Sequence, residues 1–326
     1  MKLKSQIAAI TALALAFVGF DLAVYRIFTR RYIDRQSGEM KRQSVAVSEN
    51  LPFSEPSGIV KIESDVRLAG DLPVLDGAAA LYPMYSAFVH AVYPPDSVSY
   101  NGTDFMPGSA MQYSNTRGAY QAVAEGKADV IFCAKPSAEQ LEYAKKRGVE
   151  LELVPIGKEA FVFLVNRQNP VNDLTVEQVR GIYAGTYTKW SEVGGDDSYI
   201  DAVQRNTGSG SQTTMLTFMD GQEMHRSWLG ALHGRAIGYS FRYYSSGIAS
   251  NPQVKMLSLN GVYPDEAHIA DGSYPVSSCF YAIYDKANGN ENIPKLIDFI
   301  LSPEGQRIVS ESGYVPLNPE ESVKAP

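Results

Sequence analysis

The sequence predicts an α/β fold in two lobes, and three observations predict it. Short apolar runs alternate with segments of helical periodicity along most of the chain, the pattern of sheets covered by helices on both faces. At 326 residues the chain is long enough to form two lobes. Ligands in such folds bind beyond the carboxyl ends of strands, at helix N-termini. Three polar turns hold that position: residues 77–81, 114–117 and 205–212.

The elements follow in chain order. Residues 72–75 read as a short strand and 76–79 as a turn. Leu81, Tyr85, Phe88, Val89 and Val92 then recur at helical spacing, with Pro83 in the first turn and Pro94-Pro95 after the end. A polar turn at 113–118 leads into a helix that stops at Gly126. Residues 129–133 read as a buried strand, 137–148 as a helix, and 151–155 and 161–166 as two strands. Thr175 and Gln178 have capping-box spacing at the head of a helix ending at Gly185. Residues 199–204, 236–240, 254–259 and 275–284 read as strands. Two helices close the chain, 293–301 and one begun by Ser302 and Pro303 that stops at Gly313.

The net charge of −7 argues against nucleic acid as a partner. It leaves an anion site open, because such a site needs only local donors. Residues 7–25 are apolar apart from Asp21 and follow Lys2 and Lys4. This run is marginally long enough to span a membrane and also fits a secretory signal. No small-residue cleavage site follows, which favours an uncleaved anchor over residues 1–28. Its flanking charge does not orient it, since Arg26, Arg30, Arg31 and Arg35 follow it. Residues 29–64 then read as a polar stalk. Cys133 and Cys279 could form one bridge or remain as two free thiols.

The stretch 204–214 carries the chemistry. Arg205 leads into the Gly/Ser turn 208–211, and a helix follows. Such a turn aims backbone N–H groups and hydroxyls at one point, and the helix dipole adds partial positive charge. The guanidinium adds a five-donor fork. This is an oxyanion holder; the bland alternative is a surface loop with a solvated arginine. Enzyme readings have little support. The sequence 208–212 is not a Gly-x-Ser-x-Gly elbow, no phosphate-loop motif occurs, and His90, His225, His233 and His268 lack metal spacing. No cofactor is expected.

The segments Asp76-Gly77-Ala78-Ala79-Ala80-Leu81, Ala128-Asp129-Val130-Ile131, Trp190-Ser191-Glu192, Arg205-Asn206-Thr207-Gly208-Ser209-Gly210-Ser211 and Ser302-Pro303-Glu304-Gly305-Gln306 fall in a familiar order. Over residues 72–317 the chain resembles the phosphate-binding proteins of bacterial ABC importers, within the periplasmic-binding-protein class. The resemblance implies a type II periplasmic-binding-protein fold, with residues 65–165 and 272–326 in one lobe and 166–271 in the other. It implies a monomer outside the cytoplasm that holds phosphate or a related oxyanion between its lobes and serves an ABC-transporter permease. The N-terminal segment would attach it to the membrane. Carried over by position, the ligand would meet main-chain donors at Ala79, Ala80 and Leu81 and polar groups at Ser114, Asn115 and Thr116. It would also meet Arg205, Ser209, Gly210 and Ser211. Two positions depart from the family pattern. Ala134 and Thr207 stand where an acid is usual, so phosphate should be told from sulfate less sharply than about a thousandfold. A membrane-anchored anion sensor and, more remotely, a phosphoester hydrolase are the alternative readings.

Overall fold

The computed structural model describes residues 45–225, 235–248 and 250–318. The N-terminal apolar run, the first part of the expected stalk and His233 lie outside the described residues.

Strand β1 (Leu75–Gly77) begins three residues later than the sequence suggests. Residues 72–74 are not strand, and Asp76 sits within β1 instead of in a turn. Helix α1 (Tyr82–Val92) follows a 3-10 turn, Ala79–Leu81. Its i, i+3, i+7 stripe packs Tyr85, Phe88 and Val92 out of solvent. Next come α2 (Asn115–Ala124), β2 (Val130–Cys133) and α3 (Ala138–Lys146). Helix α3 opens on a reciprocal capping box between Ser137 and Gln140.

Strand β3 (Leu151–Asn166) is one continuous strand of 16 residues where the sequence suggests two. Its register shifts between Pro155 and Gly157, a bulge that lets proline sit in a strand without breaking it. Strand β4 (Asp173–Leu174) and helix α4 (Val176–Tyr183) come next, α4 capped by the expected Thr175–Gln178 box. Then follow β5 (Asp201–Ala202), α5 (Gly210–Phe218), β6 (Ala236–Phe241), β7 (Val254–Met256), β8 (Ser258–Leu259) and the short α6 (Glu266–Ala270). Strand β9 (Ser277–Asp285), α7 (Asn292–Leu301) and α8 (Pro303–Glu311) complete the chain, with Ser302 capping α8 through its hydroxyl.

The main sheet runs β1-β2-β9-β3-β6-β5, with β7 also on β3. Strand β3 pairs with β9 as far as Ala160 opposite Ser277, then with β6 from Phe161 opposite Phe241. Each half of β3 therefore serves a different core. One core packs α1, α7 and α8 against β1, β2 and the first half of β3. A second gathers Phe161, Phe163, Tyr183, Trp190 and Tyr239 from β3, α4, β6 and the turn at 190–193. A third, smaller cluster seats α2 on β2 and β9.

Residues 45–64, placed by the sequence in a polar stalk, pack against the first core. Val45, Ile59 and Ile62 are buried there. Tyr82 and Ser86 donate their hydroxyls to the carbonyls of Val47 and Asn50. The apolar residues of this strap are irregularly spaced, so no periodicity marks them. Apart from one 3-10 turn at Val47–Asn50, the strap is irregular chain laid against α1.

Candidate functional site

The three polar turns end at one cavity of about 310 Å³. It is lined by Ala79–Leu81, by 115–117 at the head of α2, and by 205–211 at the head of α5. At helix starts the first N–H groups have no intrahelical acceptor, so these amides are available to a ligand.

Asp76 connects the first two turns. It is 2% exposed on β1 and accepts hydrogen bonds from the Gly77 and Ser114 amides at 2.7 and 2.8 Å, and from the Ser114 hydroxyl. Burial raises its pKa, and these three bonds oppose the rise. Ser114 therefore does not line the cavity; its amide and hydroxyl hold the head of α2 on β1. The next residue, Asn115, lines the cavity with φ +65°. Asparagine is among the few side chains that tolerate this left-handed backbone. The Tyr113 hydroxyl donates to its side-chain oxygen at 2.9 Å. In the first turn the Leu81 amide donates to Ala78 O at 3.0 Å. Ala79 and Ala80 are thus left as the main-chain donors of that turn, and the Leu81 side chain goes into the core.

The third turn is held from behind by Gln212. Its Oε1 accepts from the Arg205 amide at 3.0 Å and from the Tyr239 hydroxyl. Tyr239 also accepts from the Arg205 amide, at 3.1 Å. Gly208 takes φ +82°, a turn closed to residues with a Cβ unless strained. The Ser209 hydroxyl caps α5 by accepting from the Gln212 amide at 3.2 Å, which leaves its own proton to donate. The Ser209 amide donates to Asn206 O. The amides at Gly210 and Ser211 stand in the first turn of α5.

Arg117, at the end of the turn 114–117, lines the cavity, and so do Tyr244 and five residues that sequence reasoning did not place at the site: Glu159, Phe241, Cys279, Phe280 and Tyr314. Among its described lining residues, Arg117 and Arg205 are the cations and Glu159 is the acid. Glu159 is the one carboxylate within the apolar run 159–165 of β3, and that is the signal it carries. It is 4% exposed, and its oxygens accept from the amides of Ala160 at 2.9 Å and Tyr243 at 3.0 Å. Burial pushes its pKa up to about 7, against the pull of Arg242 and those two amides. Arg242 lies 3.7 Å from Glu159 and donates to Gly313 O at 2.8 Å. It is not among the cavity-lining residues. Ala134 and Thr207, the two positions without the usual acid, both line the cavity. Cys133 and Cys279 form no disulfide with one another. Among the described residues no cluster of three or more metal-ligating side chains occurs.

Two α/β bodies joined through shared strands, with helix N-termini facing a common cavity, define the class of two-lobed type II binding proteins. Residues 75–304 match the family model described as a PBP superfamily domain. The chain belongs to that superfamily. It is similar to the phosphate-binding protein PstS of Bacillus subtilis, 27% identical over 53% of this chain and 61% of that protein. To the PstS of Borreliella burgdorferi it is 25% identical over 48% of this chain and 63% of that one. The chain thus spans a little over three-fifths of the length of these relatives. Among solved structures, a putative phosphate ABC transporter substrate-binding protein with bound phosphate from Clostridium perfringens shares the fold. The TM-score is 0.57 at 22% identity, over 79% of this chain and all of that one.

Proposed function

We propose that the chain is an extracytoplasmic solute-binding protein that captures phosphate, or a tetrahedral oxyanion like it, between its lobes. The captured ion goes to the permease of an ABC importer. The observation that carries this reading is the convergence of three helix-start turns, with Arg205 at the third, on one cavity in a protein of net charge −7. Acidic overall charge would repel an anion; local donors on this scale overcome it. In this reading the donors are the amides of Ala79, Ala80, Gly210 and Ser211, the hydroxyls of Thr116, Ser209 and Ser211, and the side chains of Arg205 and Asn115. Ser114 and Gln212 hold those donors in place. The lobes divide near 165 and 272, and the N-terminal segment 1–28 attaches the protein to the membrane. The names of the relatives support phosphate as the first candidate.

Calorimetric titration of the purified protein with inorganic phosphate tests the reading. Arg205→Gln should weaken binding by about a hundredfold or more, the loss of a charge-assisted fork in a desolvated site. Ser209→Ala should weaken it by about tenfold and also lower helix stability by about 1 kcal/mol through the lost cap. Phosphate affinity unchanged in both variants would sink the proposal.

A further inference from the structure

We infer that this cavity takes an oxyanion carrying an organic group, a phosphonate or phosphomonoester with an aryl or compact apolar substituent, rather than the bare ion alone. The inference rests on the oxyanion reading above and deepens it.

The cleft walls stand close together. A Cβ placed on Gly208 would lie 3.5 Å from Cδ of Arg117, and one on Gly210 would lie 3.5 Å from Thr116 Oγ1 and 3.9 Å from Ala134 Cβ. The heads of α2 and α5 are therefore separated there by little more than the width of a methyl group, so the cavity volume is not that of a gaping cleft. That volume is about 310 Å³, room for roughly ten water molecules at about 30 Å³ each. A five-atom oxyanion replaces roughly two or three of them.

The chemistry of the remaining wall decides what fills the rest. Phe241, Tyr244, Phe280 and Tyr314 line it, together with Cys279. These rings are fixed by their neighbours: Phe241 meets Phe161 edge-on at 5.7 Å, and Phe280 meets Tyr314 at 4.9 Å. The acid on this wall, Glu159, already accepts two backbone amides. Water held against rings makes few hydrogen bonds, and its displacement by an apolar group is favourable. Ligand pockets of this kind combine an apolar lining with a few placed polar groups, and the size suits a substituent of about six to eight heavy atoms. A site shaped for the bare ion would bring polar groups to every side of it. Here the donors stand on the helix starts, and rings supply much of the rest of the lining: Phe241 lies 3.8 Å from where a Cβ on Gly210 would stand, and the Tyr314 hydroxyl donates to Ala80 O.

Titration calorimetry of the purified full-length protein at one pH separates the cases. The probes are inorganic phosphate, methylphosphonate and phenylphosphonate. Methylphosphonate and phenylphosphonate present the same head group and differ only in the substituent. Phenylphosphonate should bind at least about tenfold tighter than methylphosphonate, in line with roughly 100 Å² of added apolar burial. Two variants act on that ratio by opposite routes. Phe241→Ala removes a ring, and Cys279→Leu fills space without removing core packing. Either should reduce the ratio at least fivefold. Equal affinities for the two phosphonates, or phosphate tighter than phenylphosphonate, would overturn the inference and leave the oxyanion reading standing. No heat with any probe, phosphate included, would overturn both.

Discussion

Glu159 enters the cavity wall with a carboxyl that burial holds near neutrality. Its pKa is raised from 4.5 to about 7, so the folded protein keeps a proton that the unfolded chain releases at lower pH. The sign follows. The contribution to stability is fully present below about 4.5 and is lost as pH rises through about 7. Arg242 and the more distant Glu266 are the charged groups that face it. Urea unfolding at pH 5 and pH 8 should show lower stability at pH 8 in the wild type, and a smaller difference in Glu159→Gln. Asn115 supplies a second residue-scale prediction. Asn115→Val forces a β-branched side chain into a left-handed backbone and should cost about 1–2 kcal/mol, whereas Asn115→Gly should cost little. Thermal unfolding of the two variants distinguishes strain from a lost contact. At this scale the sequence pointed to residues that line the cavity, but not to how they are held there. Arg205, Ser209, Gly210 and Ser211 stood out because a basic residue, a Gly/Ser turn and a helix start follow one another in a few residues, and all four line the cavity. Ser114 was not separable from Asn115, because only the fold brings Asp76 under its amide and hydroxyl. Phe241, Cys279 and Tyr314 come to the wall from three distant segments, and no local pattern marks such an encounter.

Helix boundaries were the most legible part of the fold, because caps are local chemistry. Ser137, Thr175 and Ser302 all cap where their spacing places them. Strands were less so: 151–155 and 161–166 merge into β3 because pairing with β9 and β6 overrides Pro155 and Gly157. The helix pair α7–α8 adds an element-scale prediction. A Cβ on Gly305 would lie 2.2 Å from Phe299 O and 2.4 Å from Ile300 O, and both obstacles are backbone. Gly305→Ala must therefore separate the two helices, and denaturant unfolding should report a loss of more than about 2 kcal/mol. Ser302→Ala, which removes only the cap, should cost about 1 kcal/mol.

At the scale of the whole molecule, the cores of the two bodies share β3, so they should unfold together. Trp190 reports the second core, while α1, α7 and α8 carry much of the helix in the first. Tryptophan fluorescence of a Trp228→Phe variant, in which Trp190 is the one remaining tryptophan, and far-ultraviolet dichroism should give coincident denaturation curves, and separated midpoints would show that the bodies unfold independently. A ligand bound between them at a hundredfold excess over its Kd should raise the common stability by about 2.7 kcal/mol. The shared strand has one more consequence, for the tolerance of the gene to change. Side chains on a strand alternate between faces, so deleting one residue turns every later one over. Most proteins confine that damage to a single layer. Here, deleting one residue near position 157 would displace the β9 partners of the first half and present Phe161 and Phe163 to the wrong side in the second. The middle of β3 should therefore be among the places least forgiving of insertion or loss, although much of it lies away from the ion the protein is proposed to carry.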